Sequence, residues 1–373
     1  MNKPDRKKIC KGALLFFILA AVTWYLITRE YRWEEILSAL RQANFLWILP
    51  AVLAMGLFVF CEGTNIGRSL SFFGHNVKLR DKIKYALTGF FFSSVTPSAS
   101  GGQPMQVWAM YRDGIPVSHS SLSLLAELAS FQIISAAAAL IGFFIAKDQI
   151  LSAAVGIRAL VLIGVSLNVF LLCLLLAVIF SKSSIKGIIA VLFFLIERLF
   201  PKKARRWKRK ILLWAGEYRK SAGYLRKNPG LMGKMLVTAF LQLLAFYSIP
   251  YFIYQSLGLS GFHWLTITSI QAVLYISVSA LPLPGAVGVT EGGFAILFRS
   301  IFPASVMGCA MILSRFVSFY LAVIVSGIAV FAVGTAGPSG QLRRTTGNRT
   351  PNLKKNTESR HPAAFIKFLF MLK

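Results

Sequence analysis

Acidic residues are scarce. Only 13 Asp and Glu occur in 373 residues, and charged residues of both signs make up 14% of the chain. Few soluble folds are so poor in charge. Cysteine and histidine number four each. Cys10, Cys61, Cys173 and Cys309 stand far apart, which excludes a disulfide scaffold and a zinc-type ligand set and leaves small packing residues. No metal site and no cofactor are expected. There is no phosphate-gripping Gly-rich loop before a Lys, and no nucleophile paired with a His. The longest stretch able to sit wholly in water is about 50 residues, short for an independent catalytic domain.

What the chain has in abundance is hydrocarbon. Hydrophobic residues make up 56%, and several runs reach the roughly 20 residues that a bilayer crossing requires. Crossings are predicted at 12–28, 45–66, 119–146, 155–181, 235–258 and 304–333, with further apolar runs at 264–281 and up to 302. The expected fold is an all-α polytopic membrane protein of about seven or eight spans. Residues 1–333 form one membrane domain, and the basic 334–373 segment is a disordered tail. The first run follows a basic flank without a small-residue cleavage site, so it reads as an uncleaved span.

Lys and Arg total 41, for a net charge of +28. They gather between spans, so positive-inside topology and anionic lipid explain them, and no nucleic-acid partner is expected. Residues 182–234 carry 15 Lys or Arg against only Glu197 and Glu217, which marks a cytoplasmic loop and places both termini in the cytoplasm of a cell-membrane protein. Residues 31–44 put Ile36, Leu37 and Leu40 on one helical face, a pattern for the outer membrane surface.

Two segments break the apolar pattern. TPSASGGQPM (96–105) and LPLPGAVGVTEGGF (281–294) place Pro and Gly at membrane depth. Open backbone cannot face lipid, so these segments must face protein or a wet cavity. Each follows two spans and precedes a long one. Paired interrupted segments in corresponding positions point to a transporter built from inverted repeats. In the first, Thr96 and Pro97 end one arm, Gly101 and Gly102 make the turn, and Gln103 and Pro104 begin a second arm whose N–H groups form a partly positive pocket. Glu62, Glu127 and Glu291 fall within or beside spans, where acids are costly and face a cavity or partner. Arg315 is a counter-ion for Glu127 or Glu291, and either acid is a candidate to carry a coupling proton. Glu62 is placed near the cytoplasmic end of its span, and Arg112 with Asp113 at the membrane boundary.

These motifs together carry a resemblance. TPSASGGQPMQVWAMYRDGIP, a span with Glu127, LPLPGAVGVTEGGF and LSRFVSFY resemble the flippase-like membrane-domain family over roughly 10–333. That family includes the membrane half of lysylphosphatidylglycerol synthases and stand-alone relatives. Many members have Glu where this chain has Gln103, an amide without charge. The resemblance implies a headgroup groove at Thr96, Pro97, Gly101, Gly102, Gln103, Pro104, Arg112, Glu127, Pro284, Gly285, Gly288, Glu291 and Arg315. It also implies lipid translocation, with an anionic or aminoacylated phospholipid or a polyprenyl-linked lipid as partner. One alternative is lipid aminoacylation of the phosphatidylglycerol lysyltransferase type, alone or with a separate soluble partner; its transferase domain is not expected here, so the chain is not expected to be an enzyme on its own. A scaffold for a soluble lipid or glycan enzyme is the second alternative, and oligomers fit each reading.

Overall fold

A computed structural model describes residues 33–96, 99–151, 161–170, 172–173, 228–279, 281 and 284–335. The expected span at 12–28, most of that at 155–181, the bulk of the basic loop and the tail beyond 335 lie outside the described residues, so spans are not counted. Among the described residues there is no strand. The protein is an all-α, multi-pass membrane protein: in hydrocarbon a helix satisfies its own backbone.

In chain order the helices are α1 (Trp33–Gln42), α2 (Ile48–Phe72), α3 (Leu79–Ser94), α4 (Gly102–Arg112), α5 (Val117–Ile145), α6 (Lys147–Leu151), α7 (Val161–Phe170), α8 (Pro229–Ser256), α9 (Trp264–Ser279), α10 (Val289–Leu297), α11 (Ala304–Arg315) and α12 (Leu321–Thr335). A π turn, Phe316–Tyr320, joins the last two. Among the described residues, four continuous helical stretches are long and apolar enough to cross a membrane: Phe45–Phe72, Val117–Ile145, Pro229–Ser256 and Ala304–Ala332. Helix α2 shows how sequence sets the faces. Leu49, Leu53, Leu57 and Phe60 are exposed at helical spacing toward lipid, whereas Ala51, Ala54, Phe58, Cys61 and Asn65 are buried.

The orientation of the helices follows from a few contacts. Helices α2 and α8 run antiparallel: Asn44 N–H donates to the Ser256 carbonyl at 2.7 Å, and Asn65 Nδ2 to the Met235 carbonyl at 3.1 Å. The membrane face reached by the end of α2 is called the first face, and the other the second. Helices α3 and α4 have 16 and 11 residues, or about 24 and 16 Å of rise, less than the roughly 30 Å of a hydrocarbon core. Lys84 near the start of α3 pairs with Asp113 at the end of α4, so both arms open on the first face. They form a re-entrant hairpin.

Helices α9 and α10, of 16 and 9 residues, form a second hairpin. Its base lies at the second face: Trp264 Nε1 donates to Ser248 Oγ near the end of α8 at 2.8 Å, and Phe302 packs on Tyr254 with ring centroids 5.7 Å apart. The order long helix, hairpin, long helix thus occurs twice in opposite orientation. Partners are exchanged between the halves: α5 lies along α9, and α12 along α3. At the first of these contacts a Cβ on Gly142 would stand 2.8 Å from the Ser269 carbonyl oxygen, so only glycine admits the approach.

Helix α1 corrects one expectation. Its apolar face is not turned to lipid, because it packs on α11 with Ile36 and Ala39 in the main core.

Candidate functional site

The first hairpin tip solves the backbone problem locally. Helix α3 ends as Thr96 Oγ1 donates back to the Phe92 carbonyl at 2.6 Å and Ser94 Oγ to that of Phe90 at 2.8 Å. Thr96 Oγ1 also accepts the Gly101 N–H at 2.9 Å, which closes the turn. One hydroxyl therefore serves both arms. The arms are pressed together at the glycines: a Cβ on Gly102 would sit 2.0 Å from Ser93 Oγ and 2.8 Å from the Gly89 carbonyl oxygen. Gln103 and Pro104 belong to the first turn of α4, and Gln103 is exposed.

The second tip is held by an ion pair. Gly285 and Gly288 have φ of 58° and 88°, which glycine alone adopts without strain. A Cβ on Gly285 would meet the Phe319 ring at 2.2 Å. Glu291 Oε2 accepts the Gly288 N–H at 2.8 Å and so caps α10. Its Oε1 accepts from Arg315 Nε at 2.8 Å, and Arg315 Nη2 donates to the Gly285 carbonyl at 3.1 Å. The guanidinium lies 4.5 Å from the Phe319 ring centroid, within the π turn. Each tip also holds an alanine in the left-handed region, Ala99 (φ 52°) and Ala286 (φ 49°), a strain that surrounding contacts must over-determine.

The first arm of this hairpin ends under a different cap. Asn168 Nδ2, from α7, donates to the Ile276 carbonyl at 2.7 Å in the last turn of α9. The second tip meets the last turns of α3. Phe90 of α3 packs with Val287 of the second tip and with Phe319 of the π turn, the two phenyl centroids 6.4 Å apart.

A third cluster lies between α2, α4 and α5. Gln106 Nε2 donates to Glu62 Oε1 at 3.1 Å and to the Tyr85 carbonyl at 3.1 Å. Gly89 makes room for it, since a Cβ there would stand 2.1 Å from that nitrogen. Glu127 on α5 lies within electrostatic reach of Glu62, and Tyr275 on α9 within reach of both. Beneath the acids, toward the second face, is an aromatic layer: Phe58 sits 6.3 Å from Phe131 and 5.2 Å from Phe246, and Tyr275 sits 5.6 Å from Phe246, between ring centroids.

A family model, the lysylphosphatidylglycerol synthase TM region, matches residues 12–326. The chain belongs to this family. It is also similar to a UPF0104 membrane protein of Archaeoglobus fulgidus, 24% identical over 333 residues, which are 86% of this chain and 95% of the relative.

Within this family member the residues singled out from sequence fall into three places. Thr96, Gly101, Gly102, Gln103 and Pro104 gather at the first tip, and Gly285, Gly288, Glu291 and Arg315 at the second. Pro97 lies outside the described residues, and Pro284 begins the short 3₁₀ turn of the second tip. Arg112 stands at the base of the first hairpin over the Trp108 ring, 5.0 Å from its centroid. That is the far end of α4 from the Gly101–Pro104 turn, so Arg112 and the tip do not form one site. Arg315 pairs with Glu291, while the charged neighbour of Glu127 is Glu62.

Glu62 was misplaced by the sequence reading. Its helix does not end near residue 66 but continues to Phe72, about 15 Å beyond Glu62. The polar run Asn65, Arg68 and Ser69 looks like a loop entry. In the fold it packs on α8, where Arg68 Nη1 reaches the Lys234 carbonyl and Thr238 Oγ1 at 2.8 and 2.7 Å. Gln106 and Tyr275 gave no signal in the sequence, because their importance comes from helices that only the fold brings together.

Proposed function

We propose that this protein translocates a phospholipid or a lipid-linked headgroup across the bilayer. The carrying observation is the pair of re-entrant hairpins that enter from opposite faces, the second tip packed against the last turns of α3. Discontinuous helices of opposed orientation support a site at the midplane and alternating access from the two faces. The headgroup path runs past the first tip, where Gln103 is exposed, and past the half-buried Glu127, while the tails stay in lipid. Glu291, Arg315, Gly285 and Gly288 hold the second tip in shape. Since the sequence contains no ATP-binding loop, an ion gradient or the lipid's own gradient drives the cycle.

In this reading the first face is cytoplasmic and the membrane is the cell membrane. Arg68, Lys78, Arg80, Lys82 and Lys84 lie at that face, and the basic 182–234 stretch leads into α8 there, as the positive-inside rule requires. The lipid is an anionic or aminoacylated phospholipid or a polyprenyl phosphate, and a soluble enzyme that makes or uses it is the natural partner.

The test is reconstitution in liposomes with headgroup-labelled phosphatidylglycerol, its lysyl form and a polyprenyl phosphate, scoring loss of inner-leaflet protection. Selective movement of one lipid, stopped by Glu127→Gln, is the expected result. Protein shown to be folded that moves none of them refutes the reading and favours a scaffold for a lipid enzyme.

A further inference from the structure

The acids between α2 and α5 lack a positive partner among the described residues. The Gln106 amide bonds Glu62, Glu127 lies within electrostatic reach of Glu62, and the Tyr275 phenol lies within reach of both acids. No cationic side chain joins them among the described residues, in contrast to Glu291, which has Arg315. Two half-buried carboxylates this close together at membrane depth need a compensating charge.

An independent observation on a third helix points the same way. The Phe58 ring of α2 packs with the Phe131 ring of α5 on one side and the Phe246 ring of α8 on another. Residues four apart share a helix face. One turn toward the first face from Phe58 is Glu62, and one turn from Phe131 is Glu127. The corresponding residue above Phe246 is Gln242. Its side chain is 1% exposed, and its carbonyl Oε1 has no hydrogen-bond donor among the described residues. Three helices therefore bring two carboxylates and an unpartnered carbonyl oxygen to one level, on the same side of an aromatic floor. All are electron-pair donors, and what they lack in common is a positive charge.

We propose that Glu62, Glu127 and the Gln242 carbonyl form a binding site for a small monovalent cation, Na⁺ or H⁺. Hard oxygen donors are what either takes, and a site beside a broken helix is where coupling ions bind in secondary transporters. The bound charge is read by the first hairpin through Gln106, which bonds Glu62 on one side and the α3 backbone on the other. The aromatic floor closes the site toward the second face, so the ion enters from the first. This deepens the translocase reading by naming its ion, yet binding is measured on protein that moves no lipid, so either idea fails alone.

The experiment is thermal unfolding of the purified full chain in detergent, in NaCl against choline chloride at equal ionic strength, at several pH values. Ligand linkage at saturation raises the wild-type midpoint by roughly 5 °C. A rise specific to Na⁺, lost in Glu62→Gln/Glu127→Gln and weakened in Gln242→Leu, assigns Na⁺. No Na⁺ effect, but a pH-dependent midpoint that the same double variant abolishes and Gln242→Leu shifts, assigns H⁺. The double variant is isosteric and drops two uncompensated charges, so it folds at least as well as the wild type without cation; single Glu127→Gln is a second check. A wild type whose midpoint ignores Na⁺, and whose pH dependence matches the double variant's, overturns the proposal.

Discussion

The clamp at the second tip makes a quantitative claim. Arg315 and Glu291 are 11% and 4% exposed at their side chains, so the pair is buried, and its rupture strands a charge. Arg315→Met leaves Glu291 with only the Gly288 N–H and the Gly285 carbonyl with no donor from residue 315. Removing one partner of a buried pair costs about 3–5 kcal/mol. At about 2–4 °C per kcal/mol, the midpoint falls by roughly 10 °C. Arg315→Lys keeps the charge but, as a point donor, does not serve both Glu291 and the Gly285 carbonyl, and it loses the flat stack on Phe319; about 1–2 kcal/mol is expected. Glu291→Met/Arg315→Met loses the helix cap and the carbonyl contact without stranding a charge, for about 2 kcal/mol. The order of stability is therefore wild type, then Lys and the double variant, then Met. Detergent-solubilised protein followed by tryptophan fluorescence gives all four midpoints. Equal midpoints for Arg315→Met and the double variant, or a loss under about 0.5 kcal/mol for Arg315→Met, refute the claim that the pair is held in a low-dielectric site.

Other outcomes follow from single contacts. Gly102→Ala forces α4 away from the Gly89 carbonyl, 2.8 Å from the new Cβ; a loss of about 1–3 kcal/mol is expected, and a neutral effect in the same melt would deny the close hairpin. Asn168→Ala leaves the Ile276 carbonyl in the last turn of α9 with only the longer bond from Ser279 Oγ, at 3.3 Å, and costs about 1 kcal/mol, whereas Asn168→Asp, with no Nδ2 donor, does not rescue it. Cysteines introduced singly at Arg80 and Arg299, with the native cysteines removed, are labelled by a membrane-impermeant maleimide from opposite sides of the membrane; labelling from one side would contradict the opposed hairpins.

Much of this was legible from residue type alone. Proline and glycine within apolar runs located both tips, since no other arrangement reconciles helix breakers with hydrocarbon. The choice of Arg315 as counter-ion was settled for Glu291, the acid inside the second breaker. What the sequence hid depends on which helices touch. The pairing of Glu62 with Glu127 requires α2 and α5 to be neighbours, and hydropathy is silent on neighbours. The boundary of α2 was lost because polar residues that pack against another helix look like residues that meet water. For the same reason α1 read as a membrane-surface helix: an amphipathic face does not say whether lipid or α11 covers it.

The opposed halves also bear on descent. If they arose by duplication, the half-length ancestor had to insert in both directions, and a strong Lys and Arg bias would have forbidden that. The present asymmetry of charge would then be a later acquisition. Little of the residue pattern is shared between TPSASGGQPM and PGAVGVTEGG. What persists is a 16-residue first arm, a glycine turn with one strained alanine, and a short second arm. The two copies have since parted in their charges: one keeps acids without a cationic partner among the described residues, and the other carries a neutralised pair. A gene that began as two equal halves would thus have become a chain with one excitable half and one fixed half.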